Sequence, residues 1–415
     1  MTIRFSVCAC VALFFVPFSL LEVSGESFAQ EEVDKVTPFE IKIESSVLED
    51  LKTRLSMARF PDQLEGAGWD YGTELSYLKE LVAYWRDEFD WRAQEAKLNA
   101  FDHFKTNIDG LDIHFIHQRS KEANAMPLII THGWPGSIVE FMKIIGPLSD
   151  PVAYGGKAED AFHVVCPSMP GYGFSDKPKE PGFDSRKVAE ISAKLMARLG
   201  YERYGAQGGD WGSGVTQWLA RDDTEHVAGI HLNMVTAGPP RGVEDPNEGV
   251  PEEELRRSQE RRDSFAEETG YSQIQGTKPQ TLGYGLNDSP VGLAAWIVEK
   301  YRTWSDCDGD VETKFTKDEL LTNIMVYWTT QTITSSTRLY YESRHVSHTD
   351  ARDRIETPTG CAIFPKELTI PPRKWAEARF NVVHWTEMPR GGHFAAMEEP
   401  ELLVQDIRAF FGSLR

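Results

Sequence analysis

Cysteine is scarce in this chain, with five among 415 residues. Cys8 and Cys10 fall in the first 30 residues, while Cys166, Cys307 and Cys361 are widely spaced and form no CxxC pair. So scattered and odd a set argues against a disulfide framework and a cysteine zinc site, leaving three buried thiols as the expectation. Positive charge is also in deficit: 44 Lys plus Arg stand against 64 Asp plus Glu, a net charge of -20. Such a chain repels phosphate backbones, which argues against nucleic acid as a partner. Internal repeats and low-complexity tracts are missing too. The one long apolar run, "FSVCACVALFFVPFSLL" after Arg4, contains Pro17 and is shorter than the roughly 20 residues a spanning helix needs. With small residues at Ser27 and Ala29, residues 1–29 read as a signal peptide for a secreted or periplasmic protein. An uncleaved membrane anchor is the alternative, and a membrane association is not expected once the signal is cut.

What remains is a globular balance, 40% hydrophobic and 26% charged, long enough for a large core and more than one structural unit. Residues 30–125 form one region. "SSVLEDLKTRLSMARF" and "TELSYLKELVAYWRDEFDWRAQEAKLNAF" carry helical periodicity, and "FKTNIDGLDIHFIHQRS" predicts a hairpin around an Asp-Gly turn. From residue 126 the pattern changes to short apolar strands alternating with helices: "MPLIITHGWPGS", "FHVVCPSMPGYG", "YERYGAQGGD", "VAGIHLNM", "TGCAIFP" and "FNVVHWTEM". That alternation predicts an α/β fold, a mostly parallel sheet with helices on both faces. Two core parts, 126–235 and 351–415, flank residues 236–350, which include the helical stretches "SPVGLAAWIVEKYRTW" and "ELLTNIMVYWTTQTITSSTRLYYES". So long an insertion is expected to cap the strand ends, where open α/β sheets bind ligands.

The chemistry concentrates in "GGDWGSG", residues 208–214. Glycines around Asp210 suit a tight strand-to-helix turn that mounts a nucleophile, although the usual serine is absent. A helix-capping Asp is the bland alternative. A phosphate loop fits poorly, because no Lys follows the glycines. A carboxylate nucleophile attacking an sp3 carbon forms an ester, which then needs a water-activating base and an acid to orient that base. His393 in "RGGHFAAMEEPELL" has the right place in the chain for the base, and Glu367 in "FPKEL" is the candidate acid, with Glu387 as a second candidate. "HGWPGS", residues 132–137, suggests an oxyanion hole built from the backbone amides of Trp134 and Trp211, with Pro135 shaping the loop.

Together "HGWPGS", "GGDWGS", "FPKEL" and "RGGHFAAMEEPELL" resemble the microsomal-type epoxide hydrolases, a branch of the α/β-hydrolase fold, over nearly the whole chain beyond the leader. The resemblance implies Asp210 as nucleophile, His393 as base and Glu367 as orienting acid. It also implies two cap tyrosines that donate to the epoxide oxygen, Tyr271 in "ETGYSQ" and Tyr340 in "TRLYYES", where Tyr341 is adjacent. The expected partners are a small apolar epoxide and water, with no metal or organic cofactor; a homodimer is left open. Two other readings stand beside this one. A dehalogenase would use the same Asp, with Trp134 and Trp211 as halide donors. A catalytically silent hydrolase fold would serve as a binding module.

Overall fold

The computed structural model describes residue 2, residues 35–350 and residues 353–415, so the leader expected at 1–29 lies outside the described residues. Its sheet has nine strands in the order β1-β2-β3-β5-β4-β6-β7-β8-β9. The strands are β1 (Thr37–Pro38), β2 (His103–Ile108), β3 (Leu111–Gln118), β4 (Met126–Thr131), β5 (Phe162–Pro167), β6 (Tyr204–Gly208), β7 (Val227–Leu232), β8 (Ile355–Ile363) and β9 (Phe380–Glu387). The first three add antiparallel to the edge at β5, and the six strands β5, β4, β6, β7, β8 and β9 run parallel to one another.

The predicted hairpin is β2–β3. Ile108 pairs with Leu111, and the two residues between them, Asp109 and Gly110, both have positive φ (53° and 83°). Asp-Gly is the pair that tolerates this at both positions of a two-residue turn. Strands β6 and β7 are buried at every residue, as a parallel sheet covered on both faces requires. Two helix pairs supply the cover: Ser185–Arg198 with Asp210–Asp222, and Met142–Ser149 with Pro400–Gly412. Cys166, Cys307 and Cys361 are buried free thiols.

Six helices lie between β7 and β8: Glu252–Ala266, Gly270–Gln275, Pro279–Asp288, Pro290–Trp304, Lys317–Thr330 and Ile333–His345. The N-terminal helices pack on them, Ser45–Ser56 and Leu75–Asp87 against Pro290–Trp304, and Trp91–Leu98 against Lys317–Thr330. Two stretches that read as single helices are each divided in two. Asp90 accepts a hydrogen bond from the Ala93 amide and so starts a new helix. Gln331 adopts a left-handed conformation (φ 54°) between the last two insertion helices. Among the described residues no helix is long and apolar enough to cross a membrane.

The chain passes from β4 to β5 on one side and then to β6 on the other. The loops after β4 and β6 therefore diverge at a topological switch point, the crevice where α/β sheets place their ligands.

Candidate active site

"HGWPGS" follows β4 and "GGDWGSG" follows β6, so the switch point brings the two motifs face to face. Asp210 starts the helix Asp210–Asp222 with φ +47°, a left-handed backbone that few non-glycine residues adopt. The turn is packed tightly against β4: a Cβ on Gly212 would stand 1.9 Å from the Thr131 carbonyl oxygen. Only glycine fits there, which accounts for a glycine two residues after Asp210.

The carboxylate of Asp210 is divided between two environments. The Trp134 amide donates to Oδ1 at 2.7 Å, and the Trp211 amide also donates to this carboxylate. Oδ2 faces His393, whose Nε2 lies 3.6 Å away. On the far side of the imidazole, Nδ1–H donates to Glu367 Oε1 at 2.6 Å. The same oxygen accepts from the Leu368 amide at 2.6 Å. Glu387, by contrast, sits at the end of β9 in an exposed ion pair with Arg257 at 2.6 Å, away from the histidine. That leaves Glu367 as the acid in contact with His393.

The charges inside this group shift one another. Burial works against a positive His393, but Glu367, Asp210 and Glu140 outweigh it and raise its pKa to about 9. Asp210 is itself pushed above the usual carboxylate range by burial, against the pull of His393 and of the Trp134 and Trp211 amides.

Above Asp210 the walls are aromatic. Tyr271 and Tyr340 come from separate insertion helices, with ring centres 5.8 Å apart. Trp134 stacks flat on Tyr271 at 5.2 Å, and Trp211 meets Tyr340 edge-on at 4.8 Å. The Tyr340 hydroxyl is buried. Burial raises the pKa of both phenols, reinforced by Asp210 at Tyr271 and by Tyr271 and then Asp210 at Tyr340, so both keep their protons at neutral pH. Tyr341 is half-exposed and stacks on His345 instead. A nucleophilic carboxylate under two protonated phenols, with a histidine–glutamate pair behind it, can open a strained ring at carbon and then hydrolyse the resulting ester.

The relatives carry the same overall activity in their names. The family model for the epoxide hydrolase N terminus matches residues 36–141, and that for the alpha/beta hydrolase fold matches residues 126–267. Epoxide hydrolase 1 of Sus scrofa is 43% identical over 417 residues, covering 94% of this chain and 91% of that protein. Juvenile hormone epoxide hydrolase 1 of Ctenocephalides felis is 41% identical, covering 90% of this chain and 84% of that one. The chain belongs to the epoxide hydrolase family. The crystal structure of juvenile hormone epoxide hydrolase from Bombyx mori aligns with a TM-score of 0.86 at 36% identity, covering 94% of this chain and 97% of that one. The Aspergillus niger epoxide hydrolase aligns with a TM-score of 0.83 at 32% identity, covering 93% and 98%. This epoxide hydrolase converts an epoxide and water to a diol, and the halide-expelling alternative is not favoured.

Sequence reasoning missed several residues that shape this epoxide hydrolase's site. Glu398 accepts from the amides of Gly392, Phe394 and Asp306, each within 2.9 Å, and so fixes the histidine loop. The backbone amide of His393 donates to the Trp304 carbonyl at 2.9 Å. Asn323 and Tyr327 donate to the carbonyls of Pro135 and Gly136, at 2.8 and 2.6 Å, and hold the "HGWPG" loop. Glu140 lines the cavity beside Asp210 and His393. The available signal for Glu140 was faint: a single carboxylate in the apolar run "IVEFM" after the motif.

Proposed function

We propose that Asp210 is the nucleophile of a two-step hydrolysis. Its Oδ2 attacks an epoxide carbon while the hydroxyls of Tyr271 and Tyr340 donate to the ring oxygen and supply the proton that the opening alkoxide takes up. The product of this step is an ester on Asp210. His393, oriented by Glu367, then removes a proton from water, and the oxygen adds to Cγ. Oδ1 carries the resulting charge, in the hole formed by the Trp134 and Trp211 amides. The Cγ–Oδ2 bond breaks, the departing oxygen takes the proton from His393, and Oδ2 leaves in the vicinal diol; the second proton of the water is released as Asp210 returns to a carboxylate and restores the phenol that protonated the alkoxide.

The observation that carries this reading is the division of the carboxylate, with Oδ1 on an amide at 2.7 Å and Oδ2 towards the base at 3.6 Å. Forming the ester removes the negative charge of Asp210, one of the influences that hold His393 protonated. Alkylation therefore primes its own base by lowering the imidazole pKa. Under the same reading residues 236–350 act as the cap, and the walls of Trp134, Trp211 and Trp304 suit a small apolar epoxide. Residues 1–29 serve as the secretory leader.

The test is a single-turnover experiment with His393→Gln and styrene oxide. One equivalent of alkylated protein is expected by intact-mass measurement, with the label on a peptide containing Asp210. In heavy-oxygen water the wild-type enzyme should release an unlabelled diol in its first turnover and carry the label in Asp210. A labelled diol from that first turnover would rule out the ester.

A further inference from the structure

A small cavity adjoins Asp210 and His393. Thr131, Gln207, Glu140, Asp210 and His393 are among its lining residues, and neither Tyr271 nor Tyr340 is. Its volume is about 20 Å³, room for about one water, and a buried water needs two to four polar partners. The partners are present. Thr131 Oγ1 and Gln207 Oε1 are buried without a hydrogen-bond partner among the described residues. The carboxyl group of Glu140 lies against the "HGWPG" backbone, where its Oε1 would stand 1.3 Å from a Cβ on Gly136. Glycine at 136 therefore makes room for this carboxyl group.

Resting on the two-step reading above, we propose that this cavity is the seat of the hydrolytic water. Glu140 is its positioning residue, accepting a hydrogen bond from the water while His393 takes the water's other proton. The substrate side is walled by aromatic rings and is filled once the ester has formed. A water already seated behind Asp210 needs no path past the bound alkyl group. Thr131 and Gln207 offer further hydrogen-bond partners along the same wall. In the step itself the water oxygen bonds to Cγ, one proton passes to His393 Nε2, and the Cγ–Oδ2 bond breaks as proposed above.

The electrostatics around Glu140 fit this sequence. Burial first, and then the charges of Asp210 and Glu367, push its pKa up to about 8 against the pull of His393. Esterification removes the Asp210 contribution. Deprotonation of His393 removes an opposing contribution, and a carboxyl oxygen of Glu140 can accept from the water in either protonation state.

The experiment separates the two half-reactions with styrene oxide under single-turnover conditions, following alkyl-enzyme by rapid quench and intact mass. Glu140→Gln should alkylate at a rate within about twofold of wild type but hydrolyse the ester roughly 10–100-fold more slowly. Ester should therefore accumulate, and Glu140→Asp should recover part of the loss. Unchanged ester hydrolysis in Glu140→Gln overturns the proposal. So does an equal fall in both rates, which is the mark of a general structural role. His393→Gln is run in parallel. If it traps no ester, the covalent reading itself fails; if it traps ester while Glu140→Gln turns over as wild type does, only the role of Glu140 falls.

Discussion

Asp210 is held in a left-handed backbone (φ +47°) by a turn too tight for side chains, and strain of this kind collects where function needs it. His393 shows how strongly neighbouring residues set the chemistry, since its raised pKa of about 9 depends on Glu367 more than on any other partner. Glu367→Gln removes that charge but keeps a hydrogen-bond acceptor. The imidazole pKa then falls, and a base is competent above its pKa. The acidic limb of the ester-hydrolysis rate should therefore move to lower pH, while the plateau drops roughly 10²–10⁴-fold because the base is weaker and less well oriented. Stopped-flow single turnovers across the pH range would check this, and a limb that stays in place would remove Glu367 from its orienting role. The meeting of Asp210 with His393 was legible in the sequence because motif and chain order agree, whereas Glu367 stood beside Glu387 until the family resemblance separated them. Glu140 and Glu398 were not legible. In a chain with 64 acidic residues, nothing local marks a carboxylate that the fold will bury.

Strands were easier to read than helix breaks. Every expected core strand formed, because short apolar runs bounded by Gly and Pro have few alternatives. The breaks at Asp90 and Gln331 were hidden, since the apolar pattern continues on both sides of each. Strand β1 is two residues long, too short to carry any periodicity. Also hidden was a buried polar chain that ties the hairpin to the sheet: His103 Nδ1 lies 2.9 Å from His114 Nε2, and His114 Nδ1 lies 2.9 Å from Ser168 Oγ. Burial depresses the pKa of both imidazoles. The unfolded chain therefore binds more protons just below pH ~6.5, and this cluster loses stability as pH falls through that value. His114→Phe leaves His103 Nδ1 and Ser168 Oγ without these partners and should cost about 2–4 kcal/mol in urea unfolding at neutral pH. The variant should also lose part of the acid sensitivity that wild type shows, while its folded fraction keeps normal turnover. A cost below about 0.5 kcal/mol would mean that the chain carries no net stability.

Across the whole molecule, the insertion reads from sequence as a cap but is bonded on both sides to the loops that carry the candidate site residues. Asn323 and Tyr327 hold the carbonyls of Pro135 and Gly136. Arg261 donates to the carbonyls of Glu367 and Lys366, both at 2.5 Å. Trp304 and Asp306 receive the amides of His393 and Gly391, each at 2.9 Å. The N-terminal helices then lock the insertion from outside, through Arg54 to Asp288 at 2.8 Å and Tyr84 to Asp318 at 2.9 Å. Long-range pairing of this kind leaves no periodic trace in a sequence, which is why only the insertion's existence could be read and not its attachment. A loosely hinged lid would open and melt on its own, below the core. Here the loops that carry Trp134, Glu367 and His393 all depend on the insertion for backbone partners, so the insertion cannot unfold without exposing them. Thermal unfolding should therefore give coincident midpoints by far-UV circular dichroism, tryptophan fluorescence and loss of activity. Asn323→Ala should lower all three together, by a few degrees for each ~1 kcal/mol lost. Two resolved transitions, with activity lost in the first, would show that the insertion melts as an independent lid.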